Sequence, residues 1–198
     1  MTTDATISHR HRDSGRDQAI RPTGVLLVGP TGSGKTWIQH RLIDDYGFWS
    51  PLHVTTRPVS GDDPTTVHVP FEELLAKVES GGLVGPMLFG GTWHAWRPDD
   101  LDRLRRGNER AVVICRPYEA FLINAFEPRL VPVLLSTPAT VAAERVRQRS
   151  EERDLQSGYR QARRADDVED SAYLPMFRHV SPSGEDAIRT ILHLLGPW

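Results

Sequence analysis

The unbroken apolar run Gly24-Val25-Leu26-Leu27-Val28 ends at Gly29-Pro30-Thr31-Gly32-Ser33-Gly34-Lys35-Thr36, after which Ile38, Leu42, Ile43 and Tyr46 recur at the spacing of one helix face. A short, continuous apolar run marks a strand covered on both faces. The order is therefore buried strand, glycine loop, amphipathic helix, and a strand of this kind needs helices on both sides of its sheet. Further continuous runs at 111–115 and 130–135, separated by helical stretches at 101–106 and 118–126, repeat the alternation, and a last helix at 187–195 carries Ile188, Ile191, Leu192 and Leu195 on one side. The expected fold is an α/β three-layer sandwich around a parallel central sheet.

The loop satisfies G-x-x-x-x-G-K-[ST] in the strand-to-helix context that the pattern requires. Its glycines allow backbone angles that turn successive N–H groups inward, making a concave anion site reinforced by the positive end of the following helix. Gly29, Thr31, Gly32, Ser33, Gly34, Lys35 and Thr36 are thus candidates to hold a nucleoside triphosphate. Lys35 would reach the β and γ phosphates and the Thr36 hydroxyl would ligate Mg²⁺, so ATP and Mg²⁺ are the expected cofactors. Motors and switches on such a loop need an acidic metal-organising residue at a second strand end. The run at 111–115 ends instead in Cys115-Arg116.

The remainder of the 198 residues divides around this core. Residues 1–21 hold almost no large apolar side chains, so burial cannot offset the entropy of ordering them, and a flexible tail is expected. Residues 52–96, with shorter strand candidates at 52–56, 67–69 and 87–89, a helix at 71–79 and many Gly and Pro, suggest an inserted acceptor-binding lobe. Residues 149–164 are strongly charged and suggest an arginine-bearing lid. The domain proper is 22–198.

With 24 basic against 26 acidic side chains, the chain lacks the broad positive field that binding to a nucleic-acid polymer or an acidic membrane depends on. No apolar run is long enough to span a bilayer, and Cys115 stands alone, so a reducing cytoplasm is expected. The expected partner of the loop is a nucleoside triphosphate.

Beyond the loop, several segments in the same order carry a resemblance. About twenty residues after it stands Thr55-Thr56-Arg57-Pro58, then Val69-Pro70-Phe71-Glu72-Glu73-Leu74, then Arg145, Arg149 and Arg160. In these features the chain resembles the guanylate kinase family of nucleoside monophosphate kinases, from about Gly24 to the C-terminus. The resemblance implies a P-loop phosphotransferase in which Arg57 holds the phosphate of the acceptor. It also implies that Arg145, Arg149 and Arg160 are brought onto the transferring phosphate by a helix and lid, with Lys35, Arg57, Arg149 and Arg160 as the catalytic set.

The chain departs from that family where guanine is read. A second acceptor arginine is replaced by Ser60, the D-x-Y-x-F segment is replaced near 65–69, and the guanine-reading glutamate falls near Gly85. The G-N-Y-Y-G-[ST] segment becomes Gly91-Thr92-Trp93-His94-Ala95-Trp96, and the D-I-D strand end falls at Cys115-Arg116-Pro117 without a carboxylate. A missing guanine reader can cost orders of magnitude in discrimination. The acceptor is then expected to be a nucleoside monophosphate or similar phosphorylated small molecule other than GMP, bound by Thr55, Arg57, Trp93, His94 and Trp96.

Trp93 and Trp96 suit either stacking on a ring or an apolar cluster between lobes. Asp62, Asp63, Asp99 and Asp100 could supply the absent carboxylate, although Asp99 and Asp100, after Pro98, equally suit a helix start. Cys115 reads as a small apolar residue at a buried strand end. Two other functions fit the same loop: a noncatalytic nucleotide-binding sensor or scaffold, and a kinase of a natural-product hydroxyl, which needs a base.

Overall fold

A computed structural model describes residues 21–58, 63–89, 91–151, 176–182 and 184–197, with the side chains of 149–151 outside that description. In chain order its elements are β1 (Gly24–Val28), α1 (Lys35–Tyr46), β2 (His53–Thr55), β3 (Thr66–His68), α2 (Phe71–Glu79), β4 (Val84–Phe89) and β5 (Thr92–Trp96). There follow α3 (Pro98–Arg106), β6 (Ala111–Ile114), α4 (Pro117–Phe126), β7 (Leu130–Ser136), α5 (Ala139–Glu151), β8 (His179–Pro182) and α6 (Glu185–Leu195). The expected tail, save Arg21, and the lid beyond position 151 lie outside the described residues.

The main sheet is parallel throughout, in the order β6-β1-β7-β8. Alternation along β1 sends Val25 and Leu27 to one face, where they meet Ile38 and Leu42 of α1 and Ile188 and Ile191 of α6. Leu26 and Val28 point the other way, among Leu104 of α3, Val113, Ala120 of α4 and Leu134. Both faces are sealed, and each Leu or Ile so buried contributes about 1.5–3 kcal/mol of transfer free energy. Pro132 sits inside β7 because β8 begins to pair only at Val133, so its missing N–H costs no ladder bond there.

Residues 53–96 build a second, mixed sheet in the order β3-β2-β5-β4, with β2 and β3 parallel and the other pairs antiparallel. One face of it packs on α2 through Val54, Val69, Leu74, Leu83 and Ala95. The inserted lobe therefore has a core of its own.

Two strands differ from the sequence reading. Residues 92–96 pair on both sides as β5, whereas the sequence suggested only a Gly-rich segment. The polar stretch His179–Pro182 becomes the edge strand β8, since Leu134 and Leu135 of β7 present an open ladder to it. The helix starts follow expectation. Pro98 opens α3 with Asp99 and Asp100 in its first turn and Arg103, Arg105 and Arg106 in its last, the distribution that complements the helix dipole. Asp100 also accepts the Leu52 N–H at 2.9 Å, so it is a structural acid where the sequence left a metal role open. Among the described residues, no helix is long and apolar enough to cross a membrane.

Candidate functional site

The glycine loop lies at the C-terminal end of β1 and runs directly into α1, whose N-cap is Gly34 in the left-handed region at φ 90°. No acidic residue occupies the first turn of α1, so the positive helix end is not neutralised by the helix itself. Gly32 has φ 85°, and a Cβ there would collide with the Ala142 carbonyl of α5. Glycine is required at this position twice over: for its dihedral angle and for the close approach of a second helix.

Lys35 curls back across the loop, donating to Gly29 O at 2.6 Å and Pro30 O at 3.0 Å, with Ser33 Oγ at 3.4 Å. Its ammonium thus lies over the concave side of the loop. Among the described residues, Thr31 Oγ1 of the same loop is buried with no hydrogen-bond partner, a costly state that an anion's oxygen would relieve. Arg145, reaching in from α5, donates from Nη1 to Gly32 O at 3.2 Å and lies 3.6 Å from where a Gly34 Cβ would stand. Thr36 is exposed on the first turn of α1. The residues present fit a phosphate chain. They also fit Mg²⁺, which takes few protein ligands and keeps several waters.

Cys115 directly follows β6 and is buried, within electrostatic reach of Lys35 and Glu119. Burial pushes its thiol well above the ordinary range, the Glu119 carboxylate adding to this and the Lys35 ammonium opposing it. Such a thiol is inert as a nucleophile. Glu119 is a carboxylate that the sequence reading did not single out: it lies one turn into α4, is 9% exposed, and accepts the Arg116 N–H at 2.8 Å in a capping box. In the sequence Arg116 marks only the lack of an acid at that strand end. Its guanidinium lies over the Phe89 ring of β4, Cζ 4.4 Å from the centroid, and over Tyr118 at 5.0 Å. The end of the main sheet is thereby joined to one face of the small sheet. Among the described residues, no three His, Cys, Asp or Glu side chains cluster to hold a metal ion.

That face of the small sheet carries Thr92, His94 and Trp96 of β5, His53 and Thr55 of β2, and Met87 and Phe89 of β4, as the pairings Thr55 with His94, His53 with Trp96 and Met87 with His94 require. Thr55 is fully buried and accepts the Arg57 N–H at 3.1 Å, while His68 Nδ1 lies 3.0 Å from Arg57 O. Both bonds pin the half-buried Arg57 just past the end of β2. His94 is 5% exposed, and its ring is nearly parallel to that of His53, at 5° and 4.8 Å between centroids. Trp96 also packs on the main core, 5.3 Å from the His53 ring.

Trp93 is not brought to this face. The two-residue period of β5 turns it to the opposite side, among Val54, Leu74 and Ala95 and 6.1 Å from the Phe71 ring, so it belongs to the lobe core. Thr55, His94 and Trp96 share that face without it, and Arg57 stands just past the end of β2. Asp63 is likewise engaged, accepting from the Thr65 amide at 2.9 Å and from the Thr65 and Thr66 hydroxyls at 2.7 and 3.1 Å. Burial works to raise its carboxyl, but these hydrogen bonds, aided by His40, outweigh it and hold the group below the usual aspartate range. Arg160, Asp62 and Ser60, and the side chain of Arg149, lie outside the described residues. A depression lined by Arg21, Thr23 and Arg110 opens at the far end of β1, away from the loop.

No protein-family model matches the chain, and no curated protein matches it in sequence. Among solved structures it is similar to guanylate kinase from Anaplasma phagocytophilum, at 18% identity and a TM-score of 0.58, over 88% of this chain and 84% of that one. It is also similar to a gluconokinase from Sinorhizobium meliloti 1021, at 20% identity and a TM-score of 0.42, over 88% and 91% of the two chains. The α/β architecture with its parallel central sheet is the fold that the chain shares with that guanylate kinase structure.

Proposed function

We propose that this chain is a cytoplasmic, ATP-dependent phosphotransferase that moves the γ-phosphate to a nucleoside monophosphate or similar phosphorylated small molecule other than GMP. The observation that carries this reading is the loop itself: left-handed glycines, an unneutralised helix end, the orphaned Thr31 hydroxyl and an ammonium folded over the concavity. Gly29, Thr31, Gly32, Ser33, Gly34 and Lys35 hold the triphosphate, with Arg145 bracing the loop from α5. Mg²⁺, held through the Thr36 hydroxyl and phosphate oxygens, supplies charge neutralisation. Arg57, fixed by Thr55, takes the anionic group of the acceptor, and His94 and Trp96 line the same face. Arg149, one helical turn beyond Arg145, and Arg160 complete the positive shell around the transferring group, where catalysis is mostly positioning and charge stabilisation.

The test is calorimetric titration with ATP in the presence of Mg²⁺, followed by ADP release with nucleoside monophosphates and sugar phosphates as acceptors. Binding together with turnover on a phosphorylated acceptor supports the reading. Binding with no turnover on any of them makes the chain a noncatalytic nucleotide-binding module, and absence of binding removes the nucleotide reading altogether. Arg57→Ala is expected to raise the acceptor KM by about 10-fold to 100-fold, the worth of a hydrogen bond to a charged group, with ATP affinity unchanged. An equal loss of ATP affinity would remove Arg57 from the acceptor role.

A further inference from the structure

We propose that Gln39 is a positioning residue for the transfer. Its carboxamide clamps both ends of the excursion that carries Thr55 and Arg57 onto the helix that begins with Lys35, and thereby sets how well the acceptor is held. The proposal deepens the phosphotransferase reading above and rests on it.

Gln39 stands one turn into α1 and is 4% exposed. A carboxamide withdrawn from water is destabilising unless hydrogen bonds within the protein replace those to solvent. Its two partners are both hydroxyls. Gln39 Nε2 donates to Ser50 Oγ at 2.8 Å, and Thr65 Oγ1 lies 3.4 Å from Gln39 Oε1.

Ser50 and Thr65 are the two feet of one excursion, for the chain between them makes β2 and the turn that bears Arg57. Ser50 follows Trp49, which is still tied to the main sheet: its amide donates to Arg110 O and its carbonyl accepts the Val112 N–H, both at 2.9 Å. Thr65 directly precedes β3, and its carbonyl accepts the His53 N–H at 2.9 Å. One side chain of the loop helix therefore meets the chain where it sets off toward β2 and again where it returns to begin β3.

The second foot is held twice. Asp63 Oδ1 takes the Thr65 hydroxyl proton at 2.7 Å, and His40, next to Gln39 on α1, brings Nε2 to 3.6 Å from the same oxygen. With that proton on Asp63, a half-turn of the carboxamide end lets its oxygen accept from Ser50 while its N–H donates to Thr65, so both hydroxyls are served.

From Thr65 the restraint runs along paired strands. The Val69 N–H donates to Thr55 O at 3.0 Å, and His68, the last residue of β3, has Nδ1 3.0 Å from Arg57 O. The strand that Gln39 fixes at its start thus touches the Arg57 backbone at its end. Without the clamp the Arg57 turn samples more arrangements, and ordering it on binding weakens the hold on the acceptor. The triphosphate loop keeps its own contacts through Lys35, so ATP is unaffected.

Two measurements on the full chain test this. Gln39→Met keeps the side-chain length and removes both hydrogen bonds. It is expected to speed amide exchange at His53 and Val69 by about 3- to 10-fold, the worth of one ordinary hydrogen bond, with Val25, Leu26 and Leu27 exchanging as in wild type. It should raise KM by about the same factor for whichever of AMP, CMP, ribose 5-phosphate and glycerol 3-phosphate turns over, with ATP affinity by calorimetry unchanged. Thr65→Ser, which keeps the hydroxyl, should restore what Thr65→Val loses. Combining Gln39→Met with Thr65→Val should cost less than the product of the two separate effects. Ser50→Ala releases the other foot and should also raise KM, which keeps the test open if Gln39→Met does not fold. An unchanged acceptor KM, fully multiplicative losses in the double variant, or exchange that quickens equally in both sheets overturns this inference and leaves the phosphotransferase standing. ATP binding with no product from any acceptor overturns the phosphotransferase reading, and with it the role given to Gln39.

Discussion

Lys35 shows how far a single residue can be read. The spacing Gly34-Lys35-Thr36 places its ammonium at a phosphate site, and in the folded chain the loop carbonyls of Gly29 and Pro30 occupy it. Lys35→Ala is expected to lower the transfer rate by about 10²-fold or more, the scale of losing one preorganised transition-state charge, as measured by ADP release. Gly32 permits a test on stability. At φ 85° any side chain is strained, and at Gly32 it also meets the Ala142 carbonyl, whereas Gly47, at φ 66°, faces open space. Gly47→Ala should lose about 1–3 kcal/mol in urea unfolding from backbone strain alone, and Gly32→Ala more than that, with the excess reporting the contact with α5. Equal losses would mean that α5 yields freely. This contact was not legible in the sequence, because nothing local to the glycine loop says which helix will lie on it. Arg116 and Glu119 are not legible for a related reason: a carboxylate one turn into the helix after a strand end belongs to no motif, and only the fold brings it beside Cys115.

At the level of elements, the strand, loop and helix from Gly24 onward were legible because continuous apolar runs and glycines carry their own conformational cause. The edge strand β8 was not, since His179-Val180-Ser181-Pro182 pairs only because β7 offers it a ladder. β5 is instructive in another way. The aromatic residues of 92–96 were visible, but only the register with His53, Thr55 and Met87 decides that Trp96 and His94 share one face and Trp93 the other. The start of β3 yields a prediction about pH. Asp63 has a lower folded than unfolded affinity for its proton, so its stabilising effect is complete above the usual aspartate range and is lost as pH falls through the lower folded value. Asp63→Asn should therefore melt below wild type at pH 7, and the gap should close as both are acidified past that range. A gap that persists under strongly acidic conditions would show that the bonds to Thr65 and Thr66 do not depend on the charge.

Over the whole molecule, two sheets have separate cores: a parallel one that carries the glycine loop and a mixed one that carries Thr55, His94 and Trp96. Leu74, 2% exposed, belongs to the second core alone. Leu74→Ala is expected to cost about 2–5 kcal/mol within the small lobe, seen as faster amide exchange across β2–β5, while ATP binding by calorimetry stays near wild type. Loss of ATP binding in step with that exchange would mean that the two cores unfold as one. The chain passes between the sheets twice, near Leu52 and near Arg97, and the Leu52 amide is bonded to Asp100 at the start of α3. Fastening the outgoing path to the returning one ties the two tethers together, so a change that loosens the start of α3 also reaches the strand that leads to Arg57.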